Sequence, residues 1–498
     1  MSLKRQTLWS MAPLLIVTVV NIFSVPLFYR SLGAEMYALW FYVLTFSGSF
    51  GFMDLGLGVA VGRYIGVALG EGDADAVRGY WATGNAVAIP LLSAMALVFI
   101  VLGVFFGPRW FNVAPDKVAL LQWSFVAGGV SLFLSYYGQF WNILSQAHLD
   151  FKFLSIVRIV ISLLQVLPAI LLAYTTHNPL VLISWSAFTT GIQLIIYIWH
   201  ARRDYSLGFH FGQARWSYAR EMSAYTTKTF ITLLVNGLLG GVDRLVLGKL
   251  AVPADFAHYT ISTNAGGRIQ GLSIAIMGPI FHNTSRTLGG ATKRTPADVF
   301  NEGFNFMFGW YVLLAVWVVV WNRVILDLWL GHLLGAAVAP LFPPIIIAYC
   351  LSAISNISGA QLGPLNRVGT GIFFHIACGL MVIAGVWIGW KFGAVEGVAY
   401  GFLASRVVLV AQDIFVIRCI KAGGWLARST WLHISGQLGV GLFFFAVKQW
   451  LPASNYALIF AAGLHGVLVA LWLLRGILFK GPQGGNVQTS REATDFSG

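Results

Sequence analysis

Apolar runs of roughly 20 residues recur from end to end of this chain, and each is long enough to carry a helix across a bilayer. Pooled core strands do not account for so many runs of that length. In lipid each backbone amide must find its partner within the segment, so the runs are predicted to be membrane-spanning helices. They fall at about 8–29, 36–62, 80–106, 118–146, 154–175 and 179–200, then at about 223–248, 257–281, 303–322, 338–362, 371–390 and 396–418. Two more lie near 431–449 and 455–476. The expected fold is an all-α polytopic membrane protein of about fourteen transmembrane helices.

Composition agrees. The chain is 58% hydrophobic and 10% charged, against about 25% charged in soluble proteins. Its net charge of +13 suggests nucleic acid as one partner class, but in a chain this apolar the better source is basic cytoplasmic loops, so no nucleic acid is expected. With the N-terminus in the cytoplasm, about nineteen Lys and Arg fall on cytoplasmic segments and about eight on external ones. Both termini are therefore expected in the cytoplasm. The first run continues through Tyr29 without an Ala-x-Ala site, so it reads as a first membrane helix and not as a cleaved leader. Cys350, Cys378 and Cys419 lie in or beside apolar runs and read as free thiols.

A more polar segment divides the chain. Six spans precede it (1–205), a cytoplasmic connector covers 206–222, and six more spans cover 223–420. Two final helices occupy 421–478, and a polar, Gly-rich tail fills 479–498. The halves echo each other: Asn21 and Leu32-Gly33 recur at the mutual spacing of Asn236 and Leu247-Gly248. Internal repeats of this kind build many transporters.

The residues that lipid should reject are the candidates for function. Arg268 lies more than about ten residues, roughly 15 Å of helix, from either end of its span, too deep to snorkel easily. A guanidinium there should face a wet cavity or an anion. Arg406 is similarly deep, with Asp413 seven residues on as a candidate structural partner. Lys228 and Arg158 lie about one turn inside their spans, where snorkelling competes with a cavity role. Asp54 reads either as a proton or cation site or as a partner for a Ser or Arg. Asp243 and Arg244 sit near the external end of the seventh span, where a structural role competes with a cavity role. Gly58, Gly62, Gly66 and Gly70 leave one bare helix face for close packing. The fourth span carries Tyr136, Tyr137, Gln139 and Asn142, amides and aromatic rings that suit a passage for sugars or, equally, hydrogen bonds between helices. No Cys or His cluster has metal-ligand spacing and no Walker A loop is present, so no cofactor, metal or enzymatic activity is expected.

Four stretches resemble the Wzx-type polysaccharide flippase family of the multidrug/oligosaccharidyl-lipid/polysaccharide exporter superfamily. They are Arg30-Ser-Leu-Gly-Ala-Glu-Met-Tyr-Ala-Leu-Trp, Met53-Asp-Leu-Gly-Leu-Gly, Asp243-Arg-Leu-Val-Leu-Gly with a later Tyr259, and a poorer match at Ser145-Gln-Ala-His-Leu-Asp-Phe. The resemblance covers roughly the first 420 residues. It implies two six-helix lobes around a central cavity, and movement of an undecaprenyl-diphosphate-linked oligosaccharide to the periplasmic leaflet for O-antigen or exopolysaccharide assembly. It further implies a cationic cavity, fitting Arg268, Arg406, Lys228 and Arg158, and coupling to H+ or Na+, with Asp54 and Asp243 at motif positions. Expected partners are lipid-linked oligosaccharide, membrane lipids, and a polysaccharide polymerase with its chain-length regulator. A drug or cation antiporter of the same superfamily is the first alternative, and a membrane glycosyltransferase or polymerase the second.

Overall fold

A single glycine breaks the first helix in two. In α1 (Leu3–Ser49), Gly33 takes φ 74°, a left-handed conformation open to glycine at little cost, and the chain reverses there between the first and second spans. The second span is itself discontinuous: α1 ends at Ser49, and the helix resumes as α2 (Leu57–Glu71) behind a left-handed Gly56. The apolar run 36–62 gave no sign of this break. The structure, a computed structural model, describes residues 3–51, 53, 56–148, 150–209, 211–223, 240–288, 295–365, 367–422, 435, 438–446 and 461–466.

The other helices follow the apolar runs, with ends set by capping residues. α3 (Ala74–Trp110) starts at Asp73, whose carboxylate accepts from the amides of Asp75 and Ala76. α4 (Val118–Ala147) leads to α5 (Phe151–Thr176), capped by Asp150, and α6 (Pro179–Asp204), capped by Asn178. After the connector come α7 (Val242–Leu250), α8 (Pro253–Leu288) and α9 (Pro296–Leu330), the last opened by a Thr295–Asp298 capping box. The series ends with α10 (His332–Val338), α11 (Phe342–Leu362), α12 (Val368–Ala404) and α13 (Val407–Cys419). α12 is a hairpin that turns at Gly393 and Ala394, and its short second limb leads into α13 to complete a span. Its limbs touch backbone to backbone, Gly385 on Gly401 and Gly389 on Gly397, an approach that any Cβ would block.

All regular structure among the described residues is helical. Eight described stretches are long and apolar enough to cross a membrane, and those at 16–49 and 369–419 include the Gly33 and Gly393 turns. α8 is not one of the eight. Its polar residues (Asn264, Arg268 and Gln270 among them) lower its hydropathy, as suits a helix facing wet space.

α1 to α6 pack as one lobe and α7 to α13 as a second, with α1 on α8 as the main contact between them. The connector binds back onto the first lobe. Trp81 Nε1 donates to the Gly208 carbonyl at 3.0 Å, and the Tyr80 hydroxyl donates to Glu221 Oε2 at 2.6 Å. The segments 438–446 and 461–466 pack on α9, where Trp321 Nε1 donates to His465 Nδ1 at 3.0 Å. The tail expected at 479–498 lies outside the described residues.

Candidate functional site

The two lobes are tied together near one end, where α1 turns at Gly33, α3 finishes, and α7 and α8 meet. Trp110 Nε1 donates to the Leu245 carbonyl at 3.0 Å and Asn112 Nδ2 to the Lys249 carbonyl at 2.8 Å. The Tyr29 hydroxyl lies 3.2 Å from His258 Nε2, and Arg30 Nη2 donates to the Leu330 carbonyl at 3.0 Å. The Phe111 ring of the first lobe seats against Gly248 of the second, where a Cβ would come within 2.7 Å of it. Both Leu-Gly repeats therefore serve this end: Gly33 turns the chain there, and Gly248 receives the opposite lobe. The equivalent of Asn21, Asn236, lies outside the described residues.

Below the tie, α1 and α8 diverge around a crevice of about 160 Å³ that Arg268 lines with Asn21, Ser24, Trp40 and Asn264. Arg268 stands about 15 Å along α8 from the His258 contact. It is exposed to this crevice and makes no hydrogen bond or ion pair among the described residues. Asn264, one helical turn away, shares its face. A guanidinium this deep without a counter-charge offers five donors in a fork that fits a phosphate or carboxylate.

Arg406 faces a different space. Gln270, two residues after Arg268 and so on the opposite side of α8, lines a cavity of about 390 Å³ inside the second lobe, and Arg406 lines the same cavity. The Arg406 guanidinium lies 4.1 Å from the Phe402 ring centroid and donates from Nη1 to Cys378 Sγ at 3.4 Å, leaving Nε buried without a partner. Asp413 is not its structural partner, as the seven-residue spacing had suggested. That carboxylate accepts instead from the Ser355 hydroxyl at 2.7 Å. Asp243, near a helix end by sequence, is 3% exposed and borders the same cavity. Tyr259 donates to its Oδ2 at 2.9 Å, so two residues of the Asp-Arg-x-x-Leu-Gly and Tyr pattern are hydrogen-bonded to each other. Arg244 beside it is half-buried, with Nε inaccessible and unpartnered among the described residues.

In the first lobe, Gln139 and Asn142 line a cavity of about 670 Å³ together with Gln146, Arg158, Gln193 and Tyr197. Positions 139, 142 and 146 fall on one helix face, which is why these amides converge. Tyr137 is two residues from Gln139 and points the other way. Its hydroxyl donates to Asn85 Oδ1 at 2.9 Å and its ring stacks on Phe133 and Phe140, so it belongs to the packed core and not to a passage. Tyr136 is half-buried and is not part of this wall. Of the bare glycine face on α2, Gly58 and Gly62 border the cavity, and a Cβ on Gly62 would meet Ile143; Gly66 and Gly70 face open space. Close packing along that face is thus confined to its start.

The basic residues expected to share one cavity therefore line three: Arg268 between the lobes, Arg158 in the first and Arg406 in the second. Lys228 and Asp54 lie outside the described residues. Sequence reading missed Gln412, Ser355 and Tyr197 as wall residues, because each depends on which face its helix turns inward.

The chain matches the family model described as a polysaccharide biosynthesis protein over residues 3–285, more than half its length. No curated protein matches it. Among solved structures, an inward-facing multidrug resistance MATE family transporter of the MOP superfamily aligns with a TM-score of 0.65 at 12% identity, over 84% of this chain and 98% of that one. The lipid II flippase MurJ in an inward closed conformation aligns at 0.66 and 12% identity, over 93% and 99%. An outward-facing MATE family transporter aligns at 0.58 and 13% identity, over 84% and 96%. Identities this low establish a shared fold; the family-model match over residues 3–285 establishes that the chain belongs to the polysaccharide biosynthesis protein family.

Proposed function

We propose that this protein is a flippase that moves an undecaprenyl-diphosphate-linked oligosaccharide across the bacterial inner membrane for surface polysaccharide assembly, by ion-coupled alternating access. The observation that carries the reading is Arg268, a cation deep in the bundle with no partner among the described residues, which faces the crevice between the lobes. A diphosphate cannot cross hydrocarbon unaided, because desolvating its charge costs several kcal/mol or more. A fixed guanidinium at mid-depth offsets that cost while the prenyl chain stays in lipid. The amide-lined cavity of the first lobe offers Gln139, Asn142 and Gln193 to sugar hydroxyls and the Phe140 ring to their apolar faces. Arg158 and Arg406 are further anion contacts in this reading, and Asp243 a candidate for ion coupling. O-antigen or exopolysaccharide is the end product we assign, and the protein performs no covalent chemistry.

In this reading both termini are cytoplasmic, in line with the basic-residue bias, and the tied end is periplasmic. The tied lobes then correspond to an inward-facing state, and the better fit to the inward-facing relative supports this. That is the state that would load a lipid-linked sugar made in the cytoplasm. Breaking the Tyr29–His258, Arg30–Leu330 and Trp110–Leu245 contacts would open the other side.

A drug or cation antiporter fits the MATE likeness of the fold. An unpaired arginine in the inter-lobe crevice disfavours a cationic cargo, and this weighs for the anionic lipid. The reading is tested in a deletion strain, which should accumulate intact lipid-linked oligosaccharide in its cytoplasmic leaflet. Truncated sugar chains would instead indicate a missing transferase.

A further inference from the structure

At the tied end the two lobes enclose a second space, apart from the Arg268 crevice. This cavity of about 670 Å³ is walled by Tyr29, Arg30 and Gly33 of the first lobe and by His258, Gly331 and His332 of the second. Both walls include turns between helices: α1 reverses at Gly33 (φ 74°), and α9 gives way to α10 at Gly331 (φ 86°). The cavity therefore lies where apolar spans end, at the depth of lipid headgroups.

Positive charge gathers here with no acid in the walls. Arg30 Nη2 donates to the Leu330 carbonyl, and a Cβ on Gly331 would stand 2.8 Å from that nitrogen. This seat fixes the guanidinium, whose Nε and Nη1 have no partner among the described residues. One ring nitrogen of His258 meets the Tyr29 hydroxyl at 3.2 Å, and the other has no partner among the described residues. The exposed His332 side chain has none either. Asp255, one turn before His258 on α8, and Glu35, just beyond the Gly33 turn, stand outside the walls. A guanidinium with free donors beside two imidazoles suits a phosphate. The rest of the wall is apolar: Leu333, Leu334 and Ala337 of α10 line it, and Leu333 is 89% exposed. A free anion gains nothing from such a wall, whereas the carbons next to a lipid's phosphate do.

We propose that this cavity binds the phosphate head of a membrane lipid across the seam between the lobes. Arg30 supplies the fixed charge, His258 and His332 supply further donors, and α10 covers the first carbons of the tail. Because the walls come from both lobes, the site is complete only while the lobes are tied. A ligand that binds one state alone shifts the population toward it, so the lipid acts as a lock on the tied state. On the flippase reading the locked state is the inward-facing one, and such a lipid in the periplasmic leaflet slows turnover. That consequence rests on the flippase reading, but the site does not.

The test is the thermal stability of the purified full-length protein in phosphatidylcholine nanodiscs that carry increasing phosphatidic acid. A parallel series in phosphatidylcholine alone receives inorganic phosphate at the same total concentrations. The site predicts a saturable rise in Tm with phosphatidic acid that inorganic phosphate does not reproduce. His332→Ala removes an exposed side chain with no partner among the described residues, and should melt like the parent in phosphatidylcholine alone. It should need about tenfold more phosphatidic acid for the same rise, and Arg30→Gln should abolish the rise. No response to phosphatidic acid, or a response unchanged in both variants, would overturn the site. An equal rise with inorganic phosphate would assign the cavity to a free anion and overturn the lipid. A lipid response that behaves as expected in a protein without flipping activity would leave the site standing and remove the flippase reading instead.

Discussion

Gly248 is a point where the lobes meet tightly, and Gly248→Val tests whether that contact sets the conformational balance. The Phe111 ring cannot readily retreat: it is 3% exposed and stacks on Tyr42 with centroids 4.2 Å apart, while Tyr42 packs on Phe256 at 4.6 Å. A Cβ at position 248 would stand 2.7 Å from Phe111 and 3.4 Å from Phe256. Overpacking of this kind costs about 1–3 kcal/mol. The cost falls on the tied state, in which the two lobes touch there. Since 1.4 kcal/mol is tenfold in an equilibrium, the variant should shift the population toward the state open at this end by about 5- to 100-fold. The assay is labelling of Ser24→Cys, a crevice residue near Arg268, in a background with Cys350, Cys378 and Cys419 replaced. A membrane-impermeant maleimide added from the periplasmic side should react faster by that factor in Gly248→Val. Gly248→Ala should give a smaller increase. Unchanged rates in a protein that folds and expresses normally would show that Phe111 on Gly248 does not hold the lobes together.

Two further outcomes follow from packing and hydrogen bonding. Tyr259→Phe removes the donor that the buried Asp243 uses, and should cost about 1.5–3 kcal/mol in unfolding experiments; wild-type stability would mean that the carboxylate finds another donor. Gly401→Val forces a side chain into the Gly385 backbone and should abolish recovery of monodisperse protein, whereas Gly369→Ala, with open space around it, should stay within about 0.5 kcal/mol of wild type. A well-behaved Gly401→Val would refute the close contact of the α12 limbs.

The helices were legible because lipid imposes one rule on every span, a length of apolar residues; the short α10 (His332–Val338), which falls between two runs, was not. The Leu-Gly echo was legible too, and proved to mark one end of the molecule in both halves. What escaped was direction. Arg268 and Gln270 are two residues apart yet face different cavities, and Tyr137 turns from the passage that Gln139 borders, since helical neighbours point about 100° apart and the sequence does not say which side meets the partner helix. Asp413 was paired with Arg406 by spacing along one helix. Its real partner, Ser355, comes from a helix more than 50 residues away in the chain. The break between Ser49 and Leu57 was hidden because its glycines sit in an otherwise continuous apolar run.

The central claim is that the unpaired guanidinium of the crevice carries an anionic lipid headgroup between leaflets. The most direct measurement is transbilayer movement of a fluorescent undecaprenyl-diphosphate-linked oligosaccharide in proteoliposomes of the purified protein, comparing wild type with Arg268→Ala and Arg268→Lys. The account predicts flipping by the wild type, loss of about tenfold or more in Arg268→Ala, and partial retention in Arg268→Lys, which keeps the charge but not the fork. Equal rates in wild type and Arg268→Ala, at equal reconstitution, would contradict it.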